Sequence, residues 1–91
     1  MAELNSSAPG LTFPCEFPIK AMGRNDADLP ALVAAIVQRH APTLQTERLT
    51  TSESRGGRYL SVTATITAES REQLDAIYAE LKGHDSVLAT L

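Results

Sequence analysis

The spacing of apolar residues alternates between two periods along the chain, and this alternation constrains the fold more than any other feature. A period of two residues, typical of a strand with one buried face, covers 13–22 and 58–68. A period of 3.6 residues, typical of an amphipathic helix, covers 29–41 and 71–82. Two successive strand-then-helix units predict a domain in which helices pack on a sheet.

The first strand is predicted to bury one parity of side chains, namely Phe13, Cys15, Phe17, Ile19 and Ala21. Cys15 shares that parity, so we expect a buried, inert thiol. Pro18 has no amide proton to donate, and we therefore expect the strand to begin near it or to carry a bulge there. Gly23 is expected to end the strand.

The first helix is predicted from an apolar stripe consisting of Leu29, Leu32, Val33, Ile36 and Val37. Asp26 or Asp28 is the expected N-cap, because a carboxylate there accepts from free amides of the first turn. Pro30 suits that first turn, and Pro42 is expected to stop the helix.

The second helix is predicted to begin with a capping box. Ser70 is expected to accept from the Gln73 amide while the Gln73 side chain reaches back. The apolar stripe consists of Leu74, Ile77, Tyr78 and Leu81. Gly83 is expected to end the helix as a left-handed residue.

Three further segments complete the predicted sheet. Residues 44–54 are rich in Thr and carry charges, as edge strands guarded against further pairing do. A turn centred on Gly56 and Gly57 leads into the strand 58–68. The last strand is predicted over 86–91.

The predicted element order is therefore βαββαβ. Right-handed crossovers then give an α+β, ferredoxin-like sandwich: a four-stranded antiparallel sheet with both helices on one face. The first and third strands are expected at the centre. Residues 1–12 are predicted to be a flexible N-terminal tail, and 13–91 a single domain.

Charge and cysteine content narrow the partners and the compartment. The formal net charge is −3, which disfavours nucleic acid as a partner because phosphate neutralisation requires clustered cations. No stretch approaches the roughly 20 apolar residues of a membrane span, and 1–10 lacks a secretory signal. One cysteine forms no intrachain disulfide, so the expected compartment is the cytoplasm.

Enzymatic and metal chemistry lack a motif in this sequence. His40 and His84 lie far apart, and there is no Cys-x-x-Cys pair, so neither a metal site nor a cofactor is predicted. No nucleophile, base and orienting group can be assigned from spacing, so the chain is predicted not to be an enzyme. His40 is expected to satisfy the last carbonyls of its helix, although a role in partner binding stays open.

Two glycine-containing loops are the candidate binding sites. Gly23, Arg24 and Asn25 lead into a helix N-terminus, where a ligand carboxylate meets free amides; the alternative is a glycine that only permits the turn. Arg55, Gly56, Gly57 and Arg58 offer amides and two guanidinium groups to an anion; the alternative is an ordinary hairpin turn.

The open face of the predicted sheet offers little sign of RNA binding. Lys20, Tyr59, Ser61, Thr63 and Thr65 are expected to line it. RNA-binding modules of this fold stack bases on several aromatic side chains, whereas here Tyr59 stands by itself. A solvated, threonine-rich face is therefore the favoured interpretation.

Short segments spread from Phe13 to Leu91 carry a family resemblance. The two most specific are Arg39-His40-Ala41-Pro42 and Gly57-Arg58-Tyr59-Leu60-Ser61-Val62. The others are Phe13-Pro14, Lys20-Ala21-Met22-Gly23, Leu29-Pro30-Ala31-Leu32-Val33, Glu72-Gln73-Leu74, Ile77-Tyr78-Ala79-Glu80-Leu81 and Asp85-Ser86-Val87. In combination they resemble the YbeD-like family of small bacterial proteins of uncharacterised function. The N-terminal tail and the turn at 55–58 depart from the family pattern.

The resemblance implies a cytoplasmic ferredoxin-like domain, similar in shape to the ACT domains that bind amino acids and regulate enzymes. It also implies an association with lipoate metabolism. Together with the loops, it favours a regulatory or adaptor module that binds a small effector or a protein partner. The alternative is a structural module that forms homo- or hetero-oligomers by pairing through its uncharged last strand; a small enzyme is the third hypothesis. The chain by itself is expected to be a monomer or a weak homodimer.

Overall fold

The computed structural model describes residues 11–25 and 28–90. Most of the predicted N-terminal tail, Asp26 as a candidate cap, and the last residue, Leu91, lie outside the described residues. The elements are β1 (Cys15–Arg24), α1 (Leu29–His40), a short 3-10 turn (Thr46–Arg48), β2 (Leu49–Glu53), β3 (Tyr59–Ala68), α2 (Arg71–Lys82) and β4 (Val87–Thr90).

The four strands form one antiparallel sheet in the order β2-β3-β1-β4, with the two helices packed on it. The predicted βαββαβ order and ferredoxin-like α+β fold are confirmed, and so is the central position of the first and third strands. The longest ladder joins β1 to β3, from Cys15 opposite Ala68 to Arg24 opposite Tyr59. This ladder determines which loops meet at each end of the sheet.

The core lies between the sheet and the helices, and the predicted stripes supply it. Its fully buried large side chains are Ile19, Leu29, Val33, Ile36, Val37, Val62, Ile77 and Leu81. Leu32 and Tyr78 are only partly buried and pack on its margin. The expectation of a buried Cys15 is wrong: the residue lies near the end of the sheet, where it is partly exposed.

Pro18 neither starts β1 nor carries a bulge, so both expectations are wrong. The β1–β3 register is continuous through Pro18, opposite Thr65. On its other edge, β1 pairs with β4 only over Ala21–Gly23, so the missing amide proton interrupts no described ladder there. The register irregularity lies instead between Met22 and Gly23, against β4. Gly23 is therefore part of β1, which continues to Arg24.

The helix ends differ from prediction in two respects. Asp28 occupies the N-cap position of α1, but its side chain makes no capping hydrogen bond. Gly83 adopts right-handed backbone angles, with φ −79°, and its amide donates to Ala79, so the left-handed expectation is wrong. The helix needs no left-handed residue there because a right-handed turn already satisfies that carbonyl.

The strands at the edges are shorter than predicted. β2 begins at Leu49, because residues 46–48 form the 3-10 turn instead of extending the strand. β4 begins at Val87, after a hydrogen bond from its amide to the His84 carbonyl closes a turn.

Candidate functional site

The two candidate loops, predicted separately, lie side by side at one end of the sheet. Because β1 and β3 are antiparallel, the C-terminal end of β1 adjoins the N-terminal end of β3. Arg24 lies opposite Tyr59, and the Asn25 amide donates to the Arg58 carbonyl at 2.9 Å. The prediction that β1 and β3 are the two central strands already implied that these two loops lie at the same end of the sheet. The register of the two strands was not predictable.

The Asn25 side chain joins the two loops. Its Nδ2 donates to the Gly57 carbonyl at 2.9 Å and to Glu53 Oε2 at 3.1 Å. A short amide side chain is suited to this role because its two N–H groups serve two acceptors at once. Asn25 therefore fixes the position of the turn relative to the end of β1. Sequence reasoning missed Glu53, because a charge on a predicted edge strand is explained without a partner.

The turn itself has hairpin geometry. Gly56 and Gly57 have φ values of 85° and 73°, in the region that favours glycine. The Gly57 amide donates to the Ser54 carbonyl at 2.8 Å, and the Ser54 hydroxyl accepts from the Tyr59 amide at 3.0 Å. The conformational explanation of the two glycines therefore holds. The amides of Arg55 and Gly56 make no hydrogen bond to another described residue, so they are free to meet a ligand.

Arg24, Asn25, Gly57 and Arg58 line a shallow cavity of about 280 Å³, here called the basic cleft. The side chains of Arg24 and Arg58 are exposed, as is that of Arg55 in the adjoining turn. None of these three guanidinium groups forms an ion pair with another residue in the described ranges. Guanidinium groups present forked donors that match carboxylate and phosphate oxygens, so the cleft has the chemistry of an anion site.

Glu53 is an acidic group beside the cleft. Its carboxylate accepts from Asn25, and Oε1 lies 3.4 Å from the place where a Cβ on Gly57 would stand. A negative charge at this position repels an anion, so the arginines must outweigh it.

Gly23 does not line the cleft. It is buried within β1, and a Cβ added to it would collide with the Ser86 carbonyl oxygen and lie 3.1 Å from Leu29 Cδ2. Glycine is required here because there is no space for a side chain between β1, β4 and the first turn of α1. Of the three residues predicted at this loop, only Arg24 and Asn25 face the cavity.

A second polar cluster connects the two helices. Glu80 forms an ion pair with Arg39 and a hydrogen bond with His40, whose Nε2 lies 2.8 Å from Glu80 Oε1. Gln73 Nε2 donates to the His40 carbonyl at 2.9 Å. The prediction that the His40 ring satisfies carbonyls of its own helix is therefore wrong, because Gln73 of α2 does so. The cluster ties α1 to α2.

An apolar cavity of about 280 Å³ lies on the other side of the molecule, between β1 and α2. Leu11, Phe17, Leu74 and Tyr78 form its apolar walls, and Arg71 and Asp75 its rim. Burial raises the pKa of the Tyr78 phenol, and a hydrogen bond with the Lys20 backbone partly offsets this effect.

Within residues 11–25 and 28–90, no group of three His, Cys, Asp or Glu side chains is arranged to hold a metal ion. In the same ranges, neither helix is long and apolar enough to cross a bilayer.

The fold and the cleft define a small ferredoxin-like α+β domain with a basic site at one end of its sheet. A family model described as "Protein of unknown function (DUF493)" matches residues 8–91, and the chain belongs to this family. The resemblance to the YbeD-like family is thereby confirmed.

Relatives and one solved structure agree with this placement. The chain is 43% identical over 79 residues to a UPF0250 protein of Chromobacterium violaceum, covering 87% of this chain and 89% of the relative. It is 35% identical to a UPF0250 protein of Hahella chejuensis over the full length of both. The solution structure of protein HP0495 from H. pylori matches with a TM-score of 0.72 at 13% identity, covering 100% of this chain and 98% of that one, which supports the fold.

Proposed function

We propose that this protein is a regulatory or adaptor module of the cytoplasm that acts by binding an anionic ligand in the basic cleft. The observation that carries the proposal is the presence of Arg24 and Arg58 in the lining of one cavity, with Arg55 in the adjoining turn, none of them ion-paired to a described residue. Exposed arginines on a chain of net charge −3 are expected to find acidic partners on the chain itself, as Arg39 and Arg48 do here.

The ligand class follows from the donors. The two forked guanidinium groups of the cleft and the free amides of the adjoining turn both suit oxygen anions. Nothing in the cleft distinguishes lipoate-related molecules from other carboxylates, so the proposal concerns carboxylate and phosphate groups as a class. The described residues of the cleft include no pair of nucleophile and base, which fits binding rather than turnover.

The test is a titration of the isotopically labelled full chain with inorganic phosphate and with citrate, followed by amide NMR. Binding at the cleft shifts the resonances of Arg24, Asn25 and residues 55–58. The double variant Arg24→Ala/Arg58→Ala abolishes these shifts. Lys82→Ala is the matched control, because Lys82 is an exposed cation on α2. Unchanged resonances throughout 55–58 at saturating phosphate and citrate would overturn the proposal.

Glu53→Gln tests the same proposal through an expected gain in ligand affinity instead of a loss. The amide keeps an oxygen for Asn25 while it removes the negative charge beside the cleft. We expect tighter binding of citrate, by roughly two- to fivefold, as for a surface charge interaction. Weaker binding in Glu53→Gln would show that Glu53 itself contacts the ligand.

The second candidate function is oligomerisation through the β4 edge. β4 lies at the edge of the sheet, and Leu88, at 50% exposure, is the one large hydrophobic side chain found exposed among the described residues. Light scattering at high concentration tests this: a mass that stays at one chain would exclude a homodimer, whereas a doubling that Leu88→Lys reverses would support it.

A further inference from the structure

The open face of the sheet carries a second cation in line with the basic cleft. Along β1, Lys20, Met22 and Arg24 share the face opposite the core, because Ile19, Ala21 and Gly23 are buried. Lys20 and Arg24 are both exposed, and their α-carbons are separated by about 13 Å at the usual rise per residue. The basic chemistry of the cleft therefore continues along the strand.

The carboxylate that β1 places on this face is already engaged. Glu16 lies at the far end of β1 and pairs with Arg48, 3.1 Å away. Glu53 lies opposite the buried Leu60 in the ladder and therefore belongs to the other face. Lys20 forms no ion pair with another residue of the described ranges. A chain that is acidic overall thus presents, on the outer face of β1, two cations without an ion pair to a described residue, Lys20 and Arg24.

Hydroxyl groups lie directly beside this row of cations. Thr63 is opposite Lys20 and Ser61 is opposite Met22 on β3, and both are partly exposed. Hydroxyls both donate and accept, so they suit the alternating groups of a peptide backbone as well as carboxylate oxygens.

We propose that the anionic ligand of the basic cleft is part of an extended acidic peptide segment of a partner protein, which lies over β1 with carboxylates at Arg24 and at Lys20. This inference rests on the proposed function and extends its site by one cation. In an extended peptide, side chains four residues apart lie on the same face at about 13 Å, which matches the separation of the two cations. The interaction is a charge complementarity across an open sheet face.

A single-stranded nucleic acid fits this face less well. Such ligands stack successive bases on several aromatic side chains, and Tyr59 is the aromatic residue that the described part of β3 contributes to this face. The overall charge of −3 also opposes a long polyanion. A nucleic acid is therefore the competing outcome of the test.

The experiment measures fluorescence anisotropy of a labelled peptide of alternating glutamate and serine, with the full chain at low salt. Lys20→Ala is expected to weaken peptide binding by roughly two- to fivefold, as for one surface ion pair. The same variant leaves the phosphate-induced shifts of residues 55–58 unchanged. Lys82→Ala, the control, alters neither measurement. Circular dichroism verifies that Lys20→Ala is folded.

The outcomes separate this inference from the proposed function. Peptide binding unaffected by Lys20→Ala, together with normal phosphate shifts, would overturn the peptide inference and leave the cleft intact. If the unmodified chain shows neither phosphate-induced shifts nor peptide binding, both the peptide inference and the proposed function are overturned. A labelled oligonucleotide that binds more tightly than the peptide would replace the peptide with a nucleic acid as occupant.

Discussion

The two strand-to-helix junctions of this protein occupy equivalent positions in the βαββαβ order, yet they use their polar side chains differently. At the β3–α2 junction, Ser70 accepts from the Gln73 amide at 3.1 Å, and Gln73 Oε1 accepts from the Glu69 amide at 2.7 Å. At the β1–α1 junction, Asp28 caps nothing with its side chain, and Asn25 bonds across to the β2–β3 turn.

The β3–α2 junction uses its polar side chains to stabilise its own helix, whereas the β1–α1 junction uses them to form a surface. The second junction satisfies the amides of Glu69 and Gln73 locally, and Gln73 Nε2 donates to the His40 carbonyl at the end of α1. The first junction leaves Arg24 exposed beside the glycine turn, where the basic cleft forms. Equivalent positions in a fold therefore need not share a role, and the hydrogen-bond partners distinguish them.

The largest effect is expected from Gly23→Ala, which tests the packing of the first junction. The added methyl group meets the backbone oxygen of Ser86, which cannot rotate away as a side chain would. We expect a loss of about 3 kcal/mol or more in the free energy of unfolding, measured by urea denaturation.

Gly56→Ala is the matched control for that variant. No atom lies within 4 Å of the added methyl group, but φ is +85°, so the cost is backbone strain of about 1–2 kcal/mol. Equal losses in the two variants would contradict the conclusion that Gly23 is required for its small volume.

The next effect compares the caps directly. Ser70→Ala removes an acceptor from the Gln73 amide and is expected to cost about 1 kcal/mol. Asp28→Ala removes no side-chain cap and is expected to change stability by less than about 0.5 kcal/mol. Thermal and urea unfolding of the two variants check the difference. A loss in Asp28→Ala as large as that in Ser70→Ala would mean that both junctions stabilise their helices alike.

The smallest effect appears at alkaline pH and involves the tyrosine of α2. The pKa of Tyr78 is raised above 10.0 by burial, so the folded state disfavours the phenolate. Above pH 10 the unfolded chain releases this proton first, and the free energy of unfolding therefore falls as the pH rises towards the folded pKa.

Phenolate absorbance in a Tyr59→Phe variant follows Tyr78 alone, because the chain has two tyrosines. The midpoint is expected above 10.0 in the folded protein and at the ordinary value in urea. A midpoint that does not move on unfolding would show that Tyr78 is solvated.

Sequence patterns predicted the elements whose residues are local to one another. The stripe of α2 and the cap at Ser70 were correct because each depends on neighbours within a turn or two. The prediction for Gly83 was wrong because two C-terminal geometries satisfy the same carbonyl, and composition does not choose between them.

In the candidate site, too, local features are predictable from the sequence and contacts between distant segments are not. The loop at 23–25 is predicted from its glycine and its position before a helix N-terminus, and the turn at 55–58 from its glycines and arginines. Their union depends on a hydrogen bond between residues 32 apart in the chain, Asn25 and Gly57. Glu53 was missed because a charge on an edge strand has a sufficient explanation without a partner.

The sequence by itself determined the order of the elements, the buried face of each and therefore the layered fold, because periodicity and capping act over a few residues. The tertiary structure decided that the end of β1 meets the turn before β3, that Gly23 has no space for a side chain, and that three arginines have no described acidic partner. These features depend on strand register and on contacts between distant segments, which no local pattern encodes.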